Sequence, residues 1–157
     1  MRFMKKGFTL IELMIAITII GVLVSMGLSA YGRGRDRQYG VIASEQIISY
    51  LQEQQSIANT GKKDCAGKYL GQQVNISTPN TFTSQSICEG NNGIMSSMTV
   101  PNIAINSGTT LVFNPLSKGI EIAGSISQFT LTYLSSANLT YSITIVNSGT
   151  IEYLGLQ

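Results

Sequence analysis

GFTLIELMIAITIIGVLVSMGLSAY, residues 7–31, is the stretch on which the reading of this chain turns. From Phe8 to Ala30 it is almost wholly apolar, and a helix of that length rises about 34 Å, enough to cross a hydrocarbon core of about 30 Å. The seven residues before Phe8, MRFMKKG, are basic, so Lys5 and Lys6 favour a cytoplasmic N-terminus. Arg33, Arg35 and Arg37 flank the other end, and charge alone leaves the orientation open. Composition by itself describes a membrane anchor or a secretory signal. Glu12 argues against the plain signal, because an unpaired carboxylate in a bilayer costs about 2.5–3.5 kcal/mol on insertion scales and an ordinary signal has no use for it. Signal-peptidase cleavage is also poorly served: a cut after Ala30 puts bulky Leu28 three positions before the bond, although a cut after Ser29 puts Gly27 there.

The other residues are enough for one globular head, since single cores are commonly built from about 100–150 residues. Only 11% of the 157 residues are charged, whereas Ser, Thr, Asn and Gly abound, a mixture suited to an exported, surface-displayed protein. The formal net charge of +2 owes three of its ten cations to Arg2, Lys5 and Lys6. Without them seven cations face eight carboxylates, a net −1, and nucleic acid is not implied as a partner. Histidine is absent, which removes the commonest general base and metal ligand, and no nucleophile has a recognisable partner. The pattern therefore points away from an enzyme and calls for no cofactor or metal. Cys65 and Cys88 lack the close spacing of a zinc or redox pair, so an exported disulfide is their natural use.

Beyond the apolar run, residues 38–58 continue at helical spacing through Val41, Ile42, Ile47, Ile48, Leu51 and Ile57, and Gly61 supplies a stop. Gly27, Gly32, Gly34 and Gly40 interrupt the helix; such a cluster serves either a compliant segment or close packing. Residues 62–93 read as a long, polar, irregular surface connection stapled by the cysteines. Alternation then marks strands at Leu111 and Phe113, Ile120 and Ile122, Phe129 to Tyr133, Tyr141 to Ile145, and Ile151 and Tyr153, with a short one at Met98 to Val100. The expected class is α+β, a long N-terminal helix packed on a C-terminal antiparallel sheet. Asn75-Ile76-Ser77 and Asn138-Leu139-Thr140 match the glycan acceptor pattern, which chance supplies in a chain so rich in Asn, Ser and Thr.

The segment quoted first resembles the prepilin N-terminus shared by type IV pilins and type II secretion pseudopilins, most specifically in Gly7-Phe8-Thr9-Leu10-Ile11-Glu12. The resemblance implies that a prepilin peptidase cuts between Gly7 and Phe8 and that the new terminal Phe8 is N-methylated. Glu12 becomes the fifth residue of the mature chain, with an assembly role: pairing with the Phe8 ammonium of an adjacent subunit. Many major pilins have proline where this chain has Ser29. The stretches TLVFNPLSKGIEIAG and SITIVNSGTIEY are similar, more loosely, to the heads of H-type minor pseudopilins and FimT-like minor pilins.

These expectations divide the chain into a leader at 1–7, a transmembrane and filament-core helix at 8–31 and an exported head at 32–157. They describe a structural or assembly subunit of a type IV pilus or type II secretion pseudopilus, whose partners are the peptidase, other pilin or pseudopilin subunits, the inner-membrane assembly platform and the membrane itself. The protein would be a single-pass inner-membrane precursor and then part of a surface pilus or periplasmic pseudopilus. The alternative is a DNA-binding minor pilin for DNA uptake. Against it, the last eight residues, TIEYLGLQ, carry no cation.

Overall fold

A computed structural model describes residues 9–124, 126–135 and 138–157. The first element is a helix, α1 (Leu10–Thr60), 51 residues long and free of proline. Thr9 stands at its N-cap: the Thr9 carbonyl accepts the first helical hydrogen bond from Leu13 N–H at 3.3 Å. Its end falls where the sequence places it. Gly61 takes φ 66°, a left-handed conformation that costs glycine little, and the Gly61 N–H returns to the Ala58 carbonyl at 3.3 Å.

The chain divides into two units, Met1–Arg35 and Asp36–Gln157. Within the first, an apolar stretch, Leu10–Gly27, is long and apolar enough to cross a membrane, and none of it is buried. Its large side chains are more than half exposed all the way round, from Leu10 to Met26. A helix apolar on every side needs lipid or other helices around it.

The second unit holds nine strands: β1 (Tyr69–Ser77), β2 (Thr81–Cys88), β3 (Ser96–Thr99), β4 (Ile103–Ile105), β5 (Thr109–Phe113), β6 (Ile120–Ile122), β7 (Gln128–Ser135), β8 (Thr140–Val146) and β9 (Ile151–Leu156). They form two sheets, ordered β3-β2-β1-β5-β6 and β4-β7-β8-β9, antiparallel throughout. Val74, Ile76, Phe82, Leu111 and Phe113 from the first sheet join Leu131, Tyr133, Tyr141, Ile143 and Ile145 from the second in one core. Ala43, Ile47, Tyr50, Leu51 and Ala58, a stripe at helical spacing on α1, complete it. The α+β class is thus observed, with two sheets where one was expected.

Two further readings are revised. Residues 62–93 are not an irregular connection, because they contain β1 and β2, whose hairpin forms the centre of the larger sheet. The strands escaped notice because their inward face mixes Val74, Ile76 and Phe82 with buried Gln72, Ser84 and Ser86, so polarity does not alternate with burial. Two of those buried polar groups answer one another: Gln72 Nε2 donates to Gln54 Oε1 at 2.9 Å, and Ser86 Oγ donates to Gln72 Oε1 at 3.1 Å.

The glycines also separate. The backbone is α-helical through all four, and around Gly27, Gly32 and Gly34 nothing lies within 4 Å of where a Cβ would stand. Gly40 is buried, and a Cβ there would meet the Tyr141 ring at 2.1 Å. For Gly40 the close-packing reading holds.

Candidate functional site

Gly7 and Phe8, the proposed cleavage and methylation positions, lie outside the described residues. Glu12 lies in the first turn of α1 and is exposed. Its backbone N–H donates to Thr9 Oγ1 at 3.4 Å, and the Thr9 hydroxyl donates to Glu12 Oε2 at 3.4 Å. Both bonds are long and weak. Together they draw the carboxylate toward the helix N-terminus, where unpaired N–H groups and the helix dipole favour negative charge. Sequence reading missed Thr9 as this partner, although Thr-x-x-Glu before an apolar run is the capping-box signature. Elsewhere in the apolar stretch, polar side chains fold back: Thr18 donates to the Ile15 carbonyl and Ser25 to the Val22 carbonyl, each at 2.8 Å. These bonds satisfy hydroxyls inside a low-dielectric surrounding.

In the head, two tyrosines and one glycine fix α1 on the second sheet. Tyr133 and Tyr141 stack with ring centroids 5.5 Å apart. The Tyr133 hydroxyl donates to the Gly40 carbonyl at 2.9 Å and lies 2.7 Å from Ser44 Oγ, while the Tyr141 hydroxyl donates to the Arg37 carbonyl at 3.2 Å. Burial pushes the Tyr133 phenol from 10.0 up to about 12, and burial likewise raises Tyr141 and Tyr50. None of these groups is poised for proton transfer near neutrality, so the cluster is a structural clamp.

Cys65 and Cys88 form the expected disulfide, with Cα atoms 6.2 Å apart. It ties the segment after α1 to the end of β2. Asp64 Oδ2 accepts the Ile94 N–H at 2.8 Å, and Lys63 Nζ donates to the Gly67 carbonyl, so the same corner is fastened three ways. Among the described residues no group of three or more His, Cys, Asp or Glu is placed to hold a metal ion.

Arg35 and Arg37 are exposed on α1, and β9, the edge of the smaller sheet, carries Glu152 and no cation.

Comparison with known proteins adds a decisive element at the N-terminus. Residues 2–28 match the family model described as the prokaryotic N-terminal methylation motif. No curated protein and no solved structure matches the chain. The match ends before the β-strands begin, and it includes Glu12 and the exposed apolar stretch. Residues 2–28 thus carry a prepilin-type methylation motif on a helix apolar on all sides, and an antiparallel β head follows it.

Proposed function

We propose that this protein is a non-enzymatic structural or assembly subunit, cut by a prepilin peptidase between Gly7 and Phe8, methylated on Phe8 and inserted through α1 into a pilus or pseudopilus. The observation that carries the proposal is the wholly exposed apolar stretch Leu10–Gly27 within the methylation motif. Lipid covers such a surface before assembly, and neighbouring helices cover it afterwards. A subunit with a distinct head and tail repeats heterologously, and contacts of that kind grow filaments when they do not close.

Glu12 is assigned the pairing role. Cleavage creates a cation at Phe8, and filament entry takes both charges into an apolar helix core, where an unpaired carboxylate is costly and an opposite partner correspondingly valuable. The Thr9 contacts support this by holding the carboxylate at the N-terminal end of α1, facing the end where a neighbour's ammonium would arrive.

The head's loose resemblance to H-type minor pseudopilins and FimT-like minor pilins rests on two stretches of sequence alone. Its two stretches, 110–124 and 142–153, are adjacent in space: the Ile120 N–H donates to the Asn147 carbonyl at 2.8 Å, linking the two sheets. Gly119, at φ 90°, is required there because a Cβ would stand 2.3 Å from the same carbonyl.

Intact-mass and N-terminal peptide analysis of the protein from cells with a prepilin peptidase tests the proposal. The expected product begins at methylated Phe8. A retained leader, or cleavage near Ala30, overturns it.

A further inference from the structure

Ile42, Glu45, Tyr50 and Glu53 recur at helical spacing on one face of α1, and with Met98 and Pro101 they line an open groove of about 590 Å³. Its chemistry is one-sided. Tyr50 and Met98 give it an apolar floor, Ile42 is 43% exposed beside them, and its two charged residues are both carboxylates, Glu45 and Glu53. From Ile42 to Glu53 the wall is about three helical turns, so the groove suits a helix laid along it. The helix it suits is basic and partly aromatic.

This chain supplies such a segment itself. Arg35 and Arg37 are exposed on α1, as are the aromatic rings of Tyr31 and Tyr39, 72% and 42% respectively. Arg37 cannot reach Glu45 within its own chain, since eight residues of helix separate them by about 12 Å. Arg37 can therefore meet Glu45 only in another copy.

We propose that the groove seats the Arg35–Arg37 segment of a second copy of this chain, with Arg37 opposite Glu45 or Glu53 and the neighbour's tyrosines against Ile42 and Met98. The proposal rests on the filament function above and adds a head-level contact to it. The sense of displacement agrees with the Glu12 pairing. In each case a lower-numbered cation of one copy meets a higher-numbered carboxylate of another, Phe8 with Glu12 by four positions and Arg37 with Glu45 by eight. One direction of stacking serves both, through different neighbours. Rim charges of this kind set partner choice and register more than raw affinity.

The test is incorporation of the full-length chain into filaments in cells carrying its assembly machinery, with leader removal followed separately by mass. Reversing the groove, Glu45→Arg with Glu53→Arg, is expected to leave leader removal intact and lower incorporation about tenfold. Arg37→Glu alone is expected to lower it in the same way, and combining it with Glu45→Arg to restore most of the loss. A photo-cross-linking side chain at position 45 should capture a second copy through the peptide containing Arg37. Unchanged incorporation after the reversals, failure of the compensating pair, or capture of a different protein at position 45 overturns the groove proposal and leaves the filament function standing. Absence of the wild-type chain from filaments overturns the filament function, and the groove proposal with it.

Discussion

Replacing Gly40 with alanine tests how α1 is held on the second sheet. A Cβ at this position would stand 2.1 Å from Cζ and 2.3 Å from Cε2 of Tyr141, whereas carbon atoms in contact sit about 3.5–4.0 Å apart. The ring must retreat by about 1.5 Å. It has little freedom to do so, being 1% exposed, stacked on Tyr133 and bonded through its hydroxyl to the Arg37 carbonyl. Overpacking of this kind costs about 1–3 kcal/mol, and loss of the hydroxyl bond adds about 1 kcal/mol. Alanine returns about 1 kcal/mol in helix propensity. The expected net effect is destabilisation by about 2 kcal/mol.

Propensity alone gives the opposite sign, so the experiment discriminates. Urea unfolding of the detergent-solubilised chain, followed by the near-ultraviolet signal of its seven tyrosines, reads the effect without interference from tryptophan, which the chain lacks. In a Tyr141→Ala background the obstacle is gone, and Gly40→Ala should then stabilise by about 1 kcal/mol. Gly34→Ala, with open space around it, should not lower the midpoint in either background. An unchanged or raised midpoint for Gly40→Ala in the wild-type background refutes the packing argument.

Three further outcomes are expected. Glu12→Gln and Glu12→Val should keep leader removal and membrane insertion but reduce incorporation into filaments, as read by cross-linking to neighbours at equal expression; full incorporation of both removes the pairing role. Replacing Cys65 and Cys88 together by serine should cost about 3 kcal/mol on the chain-entropy model for a separation of 23 residues, measured as a lowered urea midpoint. Raising the pH should weaken the head: the Tyr133 phenol titrates at about 12 folded against 10.0 unfolded, so its contribution is complete below pH 10 and is lost between pH 10 and 12, at about 1.4 kcal/mol per unit. Tyr133→Phe should flatten that alkaline slope, and an unchanged slope would remove Tyr133 as its source.

How far the sequence reveals the fold depends on whether burial and polarity coincide. In β7 they do for Leu131 and Tyr133, and in β8 Tyr141, Ile143 and Ile145 still alternate with Ser142 and Thr144 although these polar residues are buried too, so both strands are legible. In β1 and β2 they do not, because Gln72, Ser84 and Ser86 are buried, Gln72 and Ser86 in a network with Gln54 that sequence spacing cannot display. At the N-terminus the motif is contiguous, so Glu12 and its neighbourhood are readable residue by residue. The Gly40–Tyr141 contact spans a hundred residues, and its glycine looks the same in sequence as Gly34, which touches nothing.

The strand edges bear on which surface is left to build a filament. A sheet edge with free N–H and carbonyl groups invites strand addition unless it is short, bulged or charged. The larger sheet ends in β3 and β6, four and three residues long, and the smaller one in the three-residue β4. The remaining edge, β9, is longer, but its register against β8 shifts at Leu154, Gly155 takes φ 90°, and Glu152 adds a charge. Each edge therefore discourages indiscriminate pairing between heads. The apolar stretch of α1 and the acidic groove beside β3 are open, and both suit helices rather than strands. A head built this way can be displayed at high local density without its sheets fusing. Under the proposed assembly, growth would be governed by the helix, with Glu12 and the arginines setting the register.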